Sequence, residues 1–215
     1  MRILFLGPPA AGKGTQAKLI QEKTGLPLLV MGDILREAIQ KQDESGKELE
    51  KYVKLGSLVP DPLVIQIIIH RLEQKEKQSP GFLLDGFPRT IDQALALEKA
   101  MQSKKWKLDY VIYYKIDDEV AIERIAGRRV CKKCNNIYHV KYNPPKQENI
   151  CDICSGELFQ RSDDKEDVMK TRLLAYYEKT TPLLSYYKEK GILVEISANR
   201  AIEEIFSDTL KYLKV

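Results

Sequence analysis

Arg2-Ile-Leu-Phe-Leu-Gly-Pro-Pro-Ala-Ala-Gly-Lys-Gly-Thr15 is the stretch that decides the fold. Arg2 to Leu6 is a short apolar run stopped by a glycine, which has the length and ending of a buried strand. From Gly14 to Lys23, Ala17, Leu19 and Ile20 keep helical spacing among polar neighbours, and Gly25 with Pro27 supplies a stop. Between the two, Gly7, Gly12 and Lys13 match G-x-x-x-x-G-K, with Gly14 where Ser or Thr is usual and Thr15 one place later. A glycine loop at a helix N-terminus offers free backbone N–H groups and the positive end of the helix dipole to phosphate, and Lys13 adds a point charge. A plain glycine turn with a surface lysine is the weaker reading, because a strand precedes the loop and a helix follows it.

Outward from this unit, short apolar runs recur at Leu26–Met31, Gly81–Asp85, Asp109–Ile116 and Gly191–Ile196, separated by helical patterns. Five apolar strands alternating with helices predict an α/β fold: a three-layer core with a five-stranded parallel sheet covered on both faces. Leu63-Val-Ile-Gln-Ile-Ile-Ile69 is rich in β-branched residues. Its helical spacing, with Asp61 as N-cap and Pro62 at the first helical position, predicts a helix. Ile202, Ile205, Phe206, Leu210 and Leu213 form one stripe of a C-terminal helix. Two segments break the alternation. Residues 30–59 are charged and helical in pattern and read as an inserted lobe. Residues 127–164 hold all four cysteines and the alternating run Ile137-Tyr-His-Val-Lys-Tyr142, and read as a small β insertion. The core is then expected over 1–29, 60–126 and 165–215.

At about 150 residues per domain, 215 residues favour one large domain or a core with insertions. Lys and Arg total 35 against 31 Asp and Glu, and 43% of residues are hydrophobic. This is ordinary soluble composition that argues against disorder and against a dense basic face for nucleic acid. No apolar run reaches bilayer length, and the glycine loop leaves no room for a signal peptide, so a cytosolic protein without membrane or nucleic-acid partners is expected. With no spare hydrophobic stripe, a monomer is expected.

Cys131-x-x-Cys134, sixteen residues and Cys151-x-x-Cys154 have the spacing of two thiolate knuckles that share one tetrahedral S₄ site. Zinc leads, with iron as the other candidate. Four protein ligands leave no open position, so the expected role is structural.

Further motifs follow the loop in order: Gly32-Asp-Ile-Leu-Arg36, Asp85-Gly-Phe-Pro-Arg89 with Gln93, Gly127-Arg-Arg129, Arg161-x-Asp-Asp164 and Arg172. Together they resemble the nucleoside monophosphate kinases, adenylate kinases above all, of the long-lid, zinc-binding bacterial type. The resemblance implies reversible phosphoryl transfer from Mg²⁺-ATP to AMP, with nucleotides as partners and Mg²⁺ and a structural Zn²⁺ as cofactors. It implies that Gly7, Gly12, Lys13, Gly14 and Thr15 cradle ATP phosphates, and that Arg124, Tyr138, His139 and Arg200 surround the donor nucleotide. Arg128, Arg161 and Arg172 would hold the transferring phosphates, and Asp85 would orient Mg²⁺ through water. Arg36 and Arg89 would grip the acceptor phosphate, with Met31, Ser57, Val59, Gly86 and Gln93 completing that side. Arginines suit such chemistry because guanidinium offers bidentate donors and keeps its charge. Arg124 and Arg128, four apart, are expected to face the cleft from one helix. Met31 stands where the family usually carries Thr, which leaves a UMP or CMP acceptor as an alternative, and Ala10 replaces a usual Gly. A kinase acting on a small metabolite, and a zinc-ribbon ATPase acting on nucleic acid, are the readings from other classes.

Overall fold

The computed structural model describes residues 1–40, 44–77 and 79–214. Residues 41–43 of the expected lobe, and 78 and 215 of the expected core, lie outside that range. Arg2–Leu6 (β1) lies between Phe82–Asp85 (β3) and Tyr110–Lys115 (β4), and Leu28–Val30 (β2) and Leu193–Ser197 (β8) close the edges. All four pairings are parallel, with Leu4 opposite Leu84 on one side and Val111 on the other. Alternate residues of the strands feed two cores, as a sheet covered on both faces requires. Leu4, Leu6, Phe82, Leu84 and Val111 pack with Val64, Ile68 and Leu72 of Asp61–Glu76 (α4), Leu97 of Ile91–Ser103 (α5) and Leu183 of Pro182–Glu189 (α8). Ile3, Phe5, Leu83, Ile112 and Tyr114 pack with Ile20 of Lys13–Thr24 (α1), Ile125 of Asp118–Ala126 (α6), Met169 of Glu166–Ala175 (α7) and Ile205 of Ile202–Leu213 (α9). Each fully buried Leu, Ile or Phe contributes about 1.5–3 kcal/mol.

The α/β core is as expected, and the β-branched run at 63–69 is helical. Tertiary packing of its apolar face against the sheet overrides local propensity. Several boundaries differ. Strand β2 ends at Val30, and Met31 opens the helix Met31–Gln40 (α2). The N-cap of α4 is Pro60, and Asp61 makes no cap hydrogen bond, because its carboxylate is engaged elsewhere. The helix carrying Arg124 stops at Ala126, so Arg124 and Arg128 do not share a helix. Gly127 turns the chain, and Arg128 opens the strand Arg128–Cys131 (β5).

The cysteine-bearing segment forms a three-stranded antiparallel sheet of Ile137–His139 (β6), β5 and Leu158–Phe159 (β7). The alternating run ends early. His139 Nδ1 accepts from the backbone N–H groups of Lys141 and Tyr142, at 3.0 and 3.1 Å, and curls the chain out of the strand. Between β2 and α4, α2 packs on Glu44–Leu55 (α3). No helix among the described residues is long and apolar enough to cross a membrane.

Candidate active site

Because the sheet is parallel, Leu6 and Asp85 end their strands at one edge, where open α/β sheets bind ligands. A cleft of about 770 Å³ lies there, walled by the glycine loop, α2, the turn after β3, the cysteine-bearing sheet and the start of α9. Gly7 makes the first turn at φ +146°, and a Cβ there would stand 2.6 Å from the Tyr114 carbonyl oxygen, so only glycine fits. Gly12 caps α1 at φ +85°, and Ala10 holds φ +63°, a left-handed conformation uncommon for a residue with a side chain. Gly7 lies behind the cleft wall, beside a smaller cavity.

Lys13 Nζ donates to the carbonyls of Gly7 and Pro8, both at 2.8 Å. Burial lowers its pKa to about 8; Asp85 opposes the shift, while Arg89, Arg172 and Arg128 add to it. Burial raises the Asp85 carboxyl, with Lys13 and Arg89 partly offsetting the effect, and Asp85 Oδ1 is buried without a hydrogen-bond partner. This cluster combines one carboxylate, one ammonium and several guanidinium groups in low dielectric, where each charge counts for more than in water.

Aspartates hold the arginines around it. Arg128 grips Asp164 with two donors, its Nε at 2.9 Å. Arg172 Nη1 binds Asp163 Oδ2 at 3.0 Å and lies 3.7 Å from Asp164. Asp33 hydrogen-bonds Arg36 and lies 3.8 Å from Arg161. Burial lowers Arg161 and Arg172 to about 10. Burial would raise Asp163, but Arg172, Arg128, Arg36 and Arg161 overcome it and hold the carboxyl low.

On the side of α2, Arg89 Nε donates to Gly86 O at 2.9 Å, and Thr180 Oγ1 steadies the Arg89 carbonyl at 2.9 Å. Arg36, Met31, Ser57, Val59, Gly86 and Gln93 all line this part of the cleft. Gln93 is only 2% exposed, and part of its amide is already committed: Oε1 accepts from Arg89 N at 2.7 Å, and Nε2 donates to Asp61 at 2.7 Å. Sequence reasoning passed over Asp61, Thr90 and Thr180. Asp61-Pro62 looks like an ordinary helix start, and no local pattern marks the other two.

On the opposite side, Gly12, Gly14, Thr15, Arg124, Arg128, His139 and Arg200 line the cleft. Arg124 Nη2 reaches the Arg200 carbonyl at 3.4 Å, and the Arg200 guanidinium binds Asp208 at 2.6 Å. Tyr138 borders the cleft, but its hydroxyl turns away toward the thiols, 3.5 Å from Cys151 Sγ, and accepts from Asp152 N at 2.8 Å.

The sulfurs of Cys131, Cys134, Cys151 and Cys154 lie within 4.8 Å of one another. A tetrahedral site with bonds of about 2.3 Å needs sulfurs roughly 3.8 Å apart, so the set fits one metal ion. A Cβ on Gly156 would stand 2.8 Å from Cys131 Sγ, so the knuckle leaves no room for a larger residue there.

A phosphate loop, a lysine that feels a buried aspartate, and arginines converging from separate segments define a P-loop phosphotransferase of the nucleotide-kinase class. Comparison with known proteins specifies it further. The adenylate kinase family model matches residues 5–192. The chain is 49% identical to an adenylate kinase of Caldicellulosiruptor saccharolyticus over the whole of both chains. It is 46% identical to one of Archaeoglobus fulgidus, over 97% of this chain and 95% of the other, and 47% identical to one of Clostridium botulinum, over 97% and 96%. The chain belongs to the adenylate kinase family.

Proposed function

We propose that the chain reversibly transfers the γ-phosphoryl group of Mg²⁺-ATP to AMP, giving two ADP. The observation that carries this reading is the convergence of Lys13, Arg89, Arg128, Arg161 and Arg172 on one cleft, with the phosphate loop on one side and Arg36, Arg89 and Gln93 on the other. An oxygen of the AMP phosphate attacks the γ-phosphorus, and the bond to the oxygen bridging the β- and γ-phosphates breaks. The chemistry needs positioning and charge cancellation more than covalent help. Lys13 and the loop N–H groups hold the donor phosphates, Arg36 and Arg89 the acceptor phosphate, and Arg128, Arg161 and Arg172 the group in flight. Asp85, with an unpartnered buried oxygen, suits a water-mediated contact to Mg²⁺ bound with the nucleotide. That ion would cancel charge on the β- and γ-oxygens. Arg124 and Arg200 flank the donor base, His139 stands nearby, and Met31, Ser57 and Val59 frame the acceptor base. Residues 30–59 close over the monophosphate and 127–164 over ATP, excluding water, around a core of 1–29, 60–126 and 165–215. The four cysteines hold zinc, and the protein works as a cytoplasmic monomer.

An assay of ATP consumption with AMP, CMP, UMP, GMP and dTMP tests the reading. AMP should be the best acceptor. No acceptor-dependent loss of ATP from folded protein would overturn the kinase reading, and a UMP or CMP preference would correct the acceptor.

The Lys13 ammonium, ordinarily protonated up to about pH 10.5, loses its proton near pH 8 in the folded chain. ATP binds the charged form, so ATP affinity should hold below pH 8 and fall above it, by at most about tenfold per pH unit. Nucleotide titrations from pH 6.5 to 9.5 read this directly, and a flat profile through pH 9.5 would mean that Lys13 keeps its proton there.

A further inference from the structure

Asp61 opens α4, 32 residues before Gln93 in sequence, yet the two side chains meet at 2.7 Å. A carboxylate only accepts, so the amide must turn Nε2 toward it. On its other side the Gln93 amide meets the backbone N–H of Arg89, which only donates, and Oε1 accepts it at 2.7 Å. The two contacts therefore agree on one orientation, and the reverse orientation would oppose donor to donor and acceptor to acceptor. Asp61 is itself fixed: its other oxygen accepts from Thr90 Oγ1 at 2.6 Å, and the same hydroxyl caps α5 by accepting from Gln93 N at 3.1 Å. Asp61, Thr90, Gln93 and the Arg89 backbone thus close a ring of hydrogen bonds beside the cleft wall.

A primary amide has two N–H donors and two acceptor lone pairs. With one of each used within the protein, Gln93 has one N–H and one lone pair left for a ligand, in an order the ring does not let it reverse. We infer that Asp61 is a specificity-determining positioning residue: by locking the Gln93 amide, it makes the acceptor subsite favour bases whose edge pairs an amino group with a ring-nitrogen acceptor over bases that present an oxo group beside a ring N–H. Adenine has the first pattern and hypoxanthine, almost the same shape, the second. A freely turning amide would satisfy either edge. A locked one leaves buried polar groups unpaired against the wrong base, the arrangement that gives strong discrimination. The inference rests on the AMP-acceptor reading and deepens it.

The test compares kcat/KM for AMP and IMP, with ATP as donor, in the wild type, Asp61→Ala and Asp61→Asn. Asn can still turn its oxygen to Gln93 and its amino group to the Thr90 hydroxyl, so Asn should keep the AMP-to-IMP ratio within about threefold. Ala removes one of the two contacts that fix the amide, leaving the Arg89 N–H alone, and should lower the ratio several-fold, mainly through a higher KM for AMP at nearly unchanged kcat. A folded Asp61→Ala protein that loses thermal stability but keeps the wild-type ratio would overturn the inference, because Asp61 would then only support the fold. If Asp61→Ala does not fold, Asp61→Ser, which likewise removes the carboxylate from Gln93, takes its place; a several-fold fall in the ratio supports the lock, and an unchanged ratio overturns it. A wild-type protein that does not prefer AMP to IMP would instead count against the acceptor reading itself.

Discussion

Lys13→Met should reduce phosphoryl transfer by about a hundred- to a thousandfold while leaving far-UV circular dichroism unchanged and the melting temperature equal to or above that of the wild type. The first effect follows from placement. A half-buried cation at the phosphate loop stabilises charge in a setting of low dielectric, and losing one such group costs about 10²–10³ in rate even where others remain. Met keeps the length of the side chain but offers the polyphosphate nothing. The second effect follows from the same burial seen from the protein's side. A lysine whose pKa falls to about 8 bears an energetic cost for its charge at neutral pH, and that cost disappears with the ammonium. Lost activity with undiminished stability would be the mark of a residue kept for function. Retained activity would mean that the loop does not hold the transferring phosphates.

Replacing Cys131 and Cys134 together with Ser should lower the melting temperature by roughly 10 °C or split off an early transition, while transfer measured well below that temperature changes much less. The cysteine-bearing sheet has little else to hold it. Its buried cluster comprises Cys131, Tyr138, Cys151 and Leu158, so half of that small core is thiol from the candidate metal site. The main sheet, with its two apolar faces, does not depend on the knuckle. Removing metal from the wild type with a chelator should reproduce the shift, and elemental analysis should find about one zinc per chain. Unchanged melting together with metal-free protein would remove the metal assignment.

The core was legible because its signals are local. Apolar runs of strand length, a glycine loop at the first turn and the helical stripe from Ile202 to Leu213 each carry their own pattern. The phosphate loop and the arginines were likewise visible as motifs, and the fold brings them to one cleft. What sequence reasoning missed depends on contacts between distant segments. Asp61 lies 29 residues from Thr90 and 32 from Gln93, and its better-known habit of opening helices hid its bond to both. The expectation that Arg124 and Arg128 share a helix failed because α6 ends at Ala126, two residues short of Arg128, and the strand run after Ile137 failed because the His139 ring captures the backbone N–H groups of Lys141 and Tyr142.

The aspartates bound to the guanidinium groups have a consequence for what the cleft will accept. Arg36, Arg128, Arg161 and Arg172 already lie against Asp33, Asp163 or Asp164. A stray anion meets guanidinium charge already partly offset by a carboxylate tethered in place, a rival whose effective concentration is on the order of millimolar or higher. A molecule anchored through its sugar and base as well has the advantage there, so the cleft should bind whole nucleotides more tightly than loose phosphate.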